Sequence, residues 1–207
     1  MLEMSIRRWF ALVLATLWLW PASLHAQSEA LMEAYRQGQA LYEAGRYEQA
    51  IPFYREALEL GEREFGPDHQ NTAALLDRLA AAYQYHGRFA EAEPLYKRAL
   101  AIDEKALGPD HPSVARSLNN LATLYESQGR YAEAEPLHKR ALAIYEKALG
   151  PEHPDVATSL ENYAFLLRKT GRDAEAARME MRAKKMRAEH PEWTAQQSGF
   201  FNRPFRK

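Results

Sequence analysis

Residues 66–107 are written a second time, with small changes, at 108–149. Aligned without a gap, 27 of these 42 positions are identical. Gly66-Pro67-Asp68-His69 returns as Gly108-Pro109-Asp110-His111 and again as Gly150-Pro151-Glu152-His153. Arg88 to Ile102 and Arg130 to Ile144 are nearly the same phrase. A fixed period of this size makes each unit one supersecondary element that cannot bury its apolar face alone, so the units must stack.

Each unit carries two segments of helical period. Leu118, Leu121, Ala122 and Tyr125 recur at i, i+3, i+4 and i+7, the stripe of an amphipathic helix, and Gly129 stops it. A second stripe runs through Ala134, Leu137, Ala141, Leu142 and Ile144. It ends at Gly150-Pro151, a glycine cap followed by a residue that cannot continue a helix. Pro112 suits the first turn of the next helix. Small residues hold fixed places: Ala80, Ala122 and Ala164 in the first helices, and Ala92, Ala134, Ala176 with Ala99, Ala141, Ala183 in the second. Helices approach closely only where the side chains at their crossing are small.

Leu76-Leu79-Ala80-Tyr83 with Ala92-Tyr96-Ala99, and Leu118-Leu121-Ala122-Tyr125 with Ala134-His138-Ala141, resemble the tetratricopeptide repeat pattern. Leu replaces its first Trp and Ala its Gly. The 42-residue length and the Gly-Pro-[Asp/Glu]-His junction are similar to the kinesin light chain subtype. The resemblance implies an all-α fold: a right-handed α-solenoid of four helix-turn-helix repeats and eight helices, at about 28–65, 66–107, 108–149 and 150–190. The outer repeats are degraded copies. The first keeps Gly38, Gly45, Ala50, Tyr54 and Ala57; the last has a polar second helix with Arg178, Glu180, Arg182, Lys184, Lys185 and Arg187, as the end of a stack requires.

Outside the array the composition changes. Arg7 and Arg8 precede an uncharged apolar run, Phe10 to Trp20, and Pro21, Ala22 and Ser23 lead to Ala26. This is the layout of a signal peptide over residues 1–26, and the run is shorter than the roughly 20 residues of a membrane span. Cleavage after Ala26 makes the protein exported, periplasmic or extracellular; retention makes the segment an N-terminal anchor. Residues 191–207 have no helical period and gather Trp193, Phe200, Phe201 and Phe205 among Arg203, Arg206 and Lys207.

Several chemistries are excluded or disfavoured. The chain has no cysteine, which removes disulfides and thiolate metal sites. A net charge of −1 gives no field to draw nucleic acid. His69, His111 and His153 recur beside Asp68, Asp110 and Glu152, but residues one repeat apart are separated by about a helix diameter, roughly 10 Å, and cannot share one ion. They are read as capping residues. No Gly-rich phosphate loop, H-E-x-x-H or G-x-S-x-G is present. Glu91, Glu93, Glu133 and Glu135 read as i,i+4 partners of Lys97 and Lys139. No catalytic residue, metal or cofactor is expected, and an enzyme remains only a remote alternative.

In tetratricopeptide arrays the first helices line a concave face, so the resemblance implies peptide binding there. By periodicity that face carries Tyr35, Arg36 and Gln39; Asp77, Arg78, Ala81 and Tyr85; Arg116, Asn119, Asn120, Thr123 and Ser127; and Thr158, Glu161, Asn162, Phe165 and Lys169. Mid-helix asparagine has poor propensity, and its amide offers both a donor and an acceptor to an extended backbone. The groove set is Arg36, Arg78, Arg116, Asn119, Asn120, Thr123, Asn162 and Lys169. The cations favour an acidic peptide; Asp77 and Glu161 dilute that preference. The expected function is a non-catalytic scaffold holding an extended segment of a protein partner. The alternative is an exported assembly factor acting through its tail or end faces.

Overall fold

The structure is a computed structural model, and it describes residues 28–190. Residues 1–26, expected to be a signal peptide, and the basic–aromatic tail 191–207 lie outside the described residues. Those residues form eight helices and no strand: α1 (residues 28–43), α2 (Tyr47–Phe65), α3 (Gln70–Tyr85), α4 (Phe89–Leu107), α5 (Pro112–Ser127), α6 (Tyr131–Leu149), α7 (Pro154–Lys169) and α8 (Asp173–Glu189). They pack as successive antiparallel pairs, each second helix also lying against the first helix of the next pair. Among the described residues no helix is long and apolar enough to cross a membrane.

The local reasons for each boundary recur with the period. Gly129 takes φ +73°, and the N–H groups of Gly129 and Arg130 donate to the carbonyls of Glu126 and Tyr125 at 2.9 and 2.8 Å. This closure satisfies the carbonyls at the end of α5 and turns the chain into α6. Gly150, at φ +90°, ends α6. The junction histidines do cap: Nδ1 of His69, His111 and His153 accepts from the backbone N–H of Asn71, Ser113 and Asp155 at 3.1, 3.1 and 3.2 Å. Pro112 and Pro154 occupy the first helical position, where no N–H is needed.

The alanine columns set the packing. All nine periodic alanines are at most 1% exposed, with Tyr83, Tyr96 and Tyr125 buried beside them. In the first repeat the column holds Gly38, and a Cβ there would sit 2.8 Å from the Tyr54 ring.

Ion pairs run along the outside. Arg98, Arg140 and Arg182 reach back to Glu62, Glu104 and Glu146 on the preceding second helix at 2.6, 2.7 and 2.5 Å. Lys97 pairs with Glu93 and Lys139 with Glu135, as their spacing predicts. Each of these glutamates also joins the next repeat: Glu93 accepts from Tyr125 and Arg130, and Glu135 from Tyr163 and Arg172. The donors, Lys97 then Arg130 and Lys139 then Arg172, hold both carboxyls down to about 2.

Two measurements test this frame. The folded carboxyls titrate below their unfolded value of about 4.3, so their stabilisation is present above that pH and is lost as pH falls through about 2. The melting temperature should therefore drop between pH 5 and 2, and less steeply in Glu93→Gln/Glu135→Gln; an identical slope contradicts the joint. His111→Ala should lower stability by about 1 kcal/mol, the usual worth of a helix cap, read by urea unfolding.

Candidate concave interaction face

The first helices of neighbouring repeats touch: α3 meets α5 and α5 meets α7, whereas no two second helices meet as extensively. In a curved stack the closer-spaced elements lie on the inner side. The less buried residues of α1, α3, α5 and α7 therefore line the concave face.

Arg36, Arg78, Asn120 and Asn162 share one repeat position, 42 residues apart, and form a row across the four helices. None of them is buried. One to two turns further along lie Ala81, Thr123 and Phe165, then Tyr85, Ser127 and Lys169. Tyr85 is 58% exposed and Phe165 51%, and Lys169 Nζ lies 5.1 Å above the Phe165 ring. Tyr85 stacks on Tyr47 at 5.2 Å and meets Tyr42 edge-on at 5.7 Å, making an aromatic edge beside Arg78.

Other members of the expected set are engaged in holding the array. Asn119 is a correction: it is buried, with Oδ1 2.9 Å from His138 Nδ1 and Nδ2 donating to Ser159 Oγ at 3.3 Å. The α5 stripe is wide enough that Asn119, adjacent to the half-buried Asn120, turns toward α6 and α7. Thr123 is half-buried, and its hydroxyl donates to the Asn119 carbonyl one turn back. Arg116 reaches the face, but its guanidinium lies 3.0 Å from Asp77 and 3.8 Å from Asp103. Asp77 and Tyr35, expected on the face, are buried. Glu161 is exposed and paired with Arg187 of α8 at 2.7 Å.

The Arg116 contacts limit what the middle of the face can recognise. Asp103 accepts from Ser117 at 2.8 Å. Neither Asp77 oxygen has an aligned hydrogen-bond donor. Burial pushes the Asp77 carboxyl above the usual range; the Arg116 charge opposes this, Asp103 adds to it, and the neighbouring Asn120 amide and Arg78 charge oppose it. Arg116 is thus the counter-ion of two buried acids. Drawing it toward a partner's carboxylate would strip charge compensation from both. Of the other cations of the face, Arg78 adds a smaller compensating charge to Asp77, Arg36 pairs with the exposed Glu33 at 3.0 Å, and Lys169 lies over the Phe165 ring.

A second polar set was not anticipated from the sequence. Within each of the last three repeats one first-helix position faces one second-helix position: Gln84 with Tyr96, Glu126 with His138, Arg168 with Glu180. The contacts are 3.0, 2.8 and 2.6 Å. His138 is wholly buried, and the Glu126 side chain is 6% exposed. His138→Ala should therefore cost about 2–4 kcal/mol, because it leaves the Glu126 carboxylate and the Asn119 Oδ1 without their His138 partner. A melting curve unshifted from wild type contradicts this.

The fold and face can be set beside known proteins. The tetratricopeptide repeat model matches residues 30–105, 73–147 and 114–189. No curated protein matches the sequence. Among solved structures, BtubC (BKLC) from P. vanneervenii is 26% identical with a TM-score of 0.67, over 86% of this chain and 68% of that one. A kinesin light chain-like protein of nearly identical repeats from Podosopora anserina is also 26% identical, with a TM-score of 0.66, over 78% of this chain and 76% of that one. The pilF protein of Pseudomonas aeruginosa, 24% identical with a TM-score of 0.59 over 81% of this chain and 65% of that one, shares the fold. The overlapping family matches span α1 to α8 almost end to end, and the chain belongs to the tetratricopeptide repeat family.

Proposed function

We propose that this protein is an exported, non-catalytic scaffold that holds an extended segment of a partner protein along the concave face. One observation carries the reading. The row Arg36, Arg78, Asn120, Asn162 departs from the repeated frame and is not buried, while the frame positions around it are closed. The two asparagines offer paired donors and acceptors to a peptide backbone. The exposed rings of Tyr85 and Phe165 offer apolar contacts to side chains on either side of that row. Arg36 and Arg78 favour an acidic group in the half of the peptide that crosses the first two repeats.

Export rests on the sequence of residues 1–26, and mass spectrometry of the mature N-terminus tests it: a chain beginning at Gln27 is the expected product. For the face, Asn120→Ala/Asn162→Ala should weaken capture of the partner from an exported-protein extract by at least about tenfold, or 1.4 kcal/mol. The melting temperature should stay within a few degrees of wild type. Undiminished capture by the folded double variant overturns the assignment of this face.

A further inference from the structure

The three junctions between repeats share an arginine-to-carbonyl contact, and the first two add a lysine–aspartate pair that the third lacks. At the first, Arg98 donates to the Pro67 carbonyl at 3.0 Å, Lys105 pairs with Asp68 at 2.6 Å, and Phe65 stacks on His69 at 5.4 Å. At the second, Arg140 donates to the Pro109 carbonyl and Lys147 pairs with Asp110. The covering cation always lies 37 residues beyond the acid it meets. At the third, Arg182 still donates to the Pro151 carbonyl, at 2.9 Å. The lysine position, however, is Glu189, and the loop acid is Glu152. No cation among the described residues lies against Glu152, and Glu189 instead approaches Lys185 at 3.7 Å. A notch of about 440 Å³ opens here, lined by Leu149, Pro151, Glu152, His153, Pro154 and His190.

We propose that this notch is covered by the chain's own segment 191–207. The segment begins at the notch, since His190 lines it. It has 17 residues, and after Glu192 it contains no acid but carries Arg203, Arg206 and Lys207. Those cations supply the charge that Lys105 and Lys147 supply at the other junctions. Trp193, Phe200, Phe201 and Phe205 bring rings to a junction that, like the second with Leu107, has a leucine where the first sets Phe65 on His69. Reach sets no limit, because 17 residues span up to about 56 Å at roughly 3.3 Å each. Tethering raises the local concentration to about millimolar, so a weak ion pair and one ring contact suffice.

The cysteine-free chain makes the test clean. Ala148→Cys/Asn202→Cys places one thiol beside the notch and one in the segment, with all the cations kept. The control, Ala106→Cys/Asn202→Cys, uses the same exposed position one repeat earlier. In the full-length protein a short bismaleimide should link 148 to 202 within one chain at least ten times faster than 106 to 202. Adding Glu189→Lys, which restores the lysine of the other junctions, should remove most of that advantage. Equal rates at 148 and 106, an advantage unaffected by Glu189→Lys, or links only between two chains would each overturn the proposal.

Discussion

Everything in this molecule depends on how closely two helices can cross. The alanine columns let the backbones approach, and the large residues beside them, Tyr83, Tyr96 and Tyr125, fill the flanks. Had any of these alanines been leucine, the pair would have spread and the stripe Leu76, Leu79 or Leu118, Leu121 would have lost its partner surface. The first repeat shows the same constraint by a different route. Gly38 takes the column position because the Tyr54 ring already occupies the place of a Cβ. Close crossing then dictates the rest: short turns closed by glycine, a proline start after each junction, and a curved stack whose inner side is made of first helices.

The periodic part of this design was legible in the sequence. The junction histidines are caps because a residue recurring once per helix start does a once-per-helix job, and their Nδ1 contacts bear this out. The Glu93–Lys97 and Glu135–Lys139 pairs followed from i,i+4 spacing. What could not be read was the inward rim of each first helix. A helical wheel gives the direction of a side chain to within a fraction of a turn, and Asp77 and Asn119 sit at that margin. Whether they face a partner or a neighbouring helix is decided by residues far along the chain: Arg116 and Asp103 for Asp77, His138 and Ser159 for Asn119. One signal was available. Positions 84, 126 and 168 change together with 96, 138 and 180, which marks them as facing pairs rather than as independent surface.

The two kinds of difference between repeats therefore divide by burial. Where the copies disagree on the concave side, at 36, 78, 120 and 162, the residues meet solvent and can face another molecule. Where they disagree inside, a change on one helix is answered on the next. Arg116 stands between the two kinds. It is half-exposed on the face and anchored beneath it, which keeps the middle of the row rigid while limiting its appetite for a second anion.

The facing pairs have a consequence for how such a chain finds its fold. Repeats with this much sequence in common can pair wrongly, a first helix closing on the second helix of a neighbour with its apolar stripe fully satisfied. The stripe does not tell the copies apart, but the polar pairs do. An α5–α8 mispairing sets the Glu126 carboxylate against that of Glu180, and an α7–α6 mispairing sets the Arg168 guanidinium against the buried His138 ring with no carboxylate between them. Each of the last three repeats thus carries its own key, written in two facing residues, and the order of the array along the chain becomes the order in space.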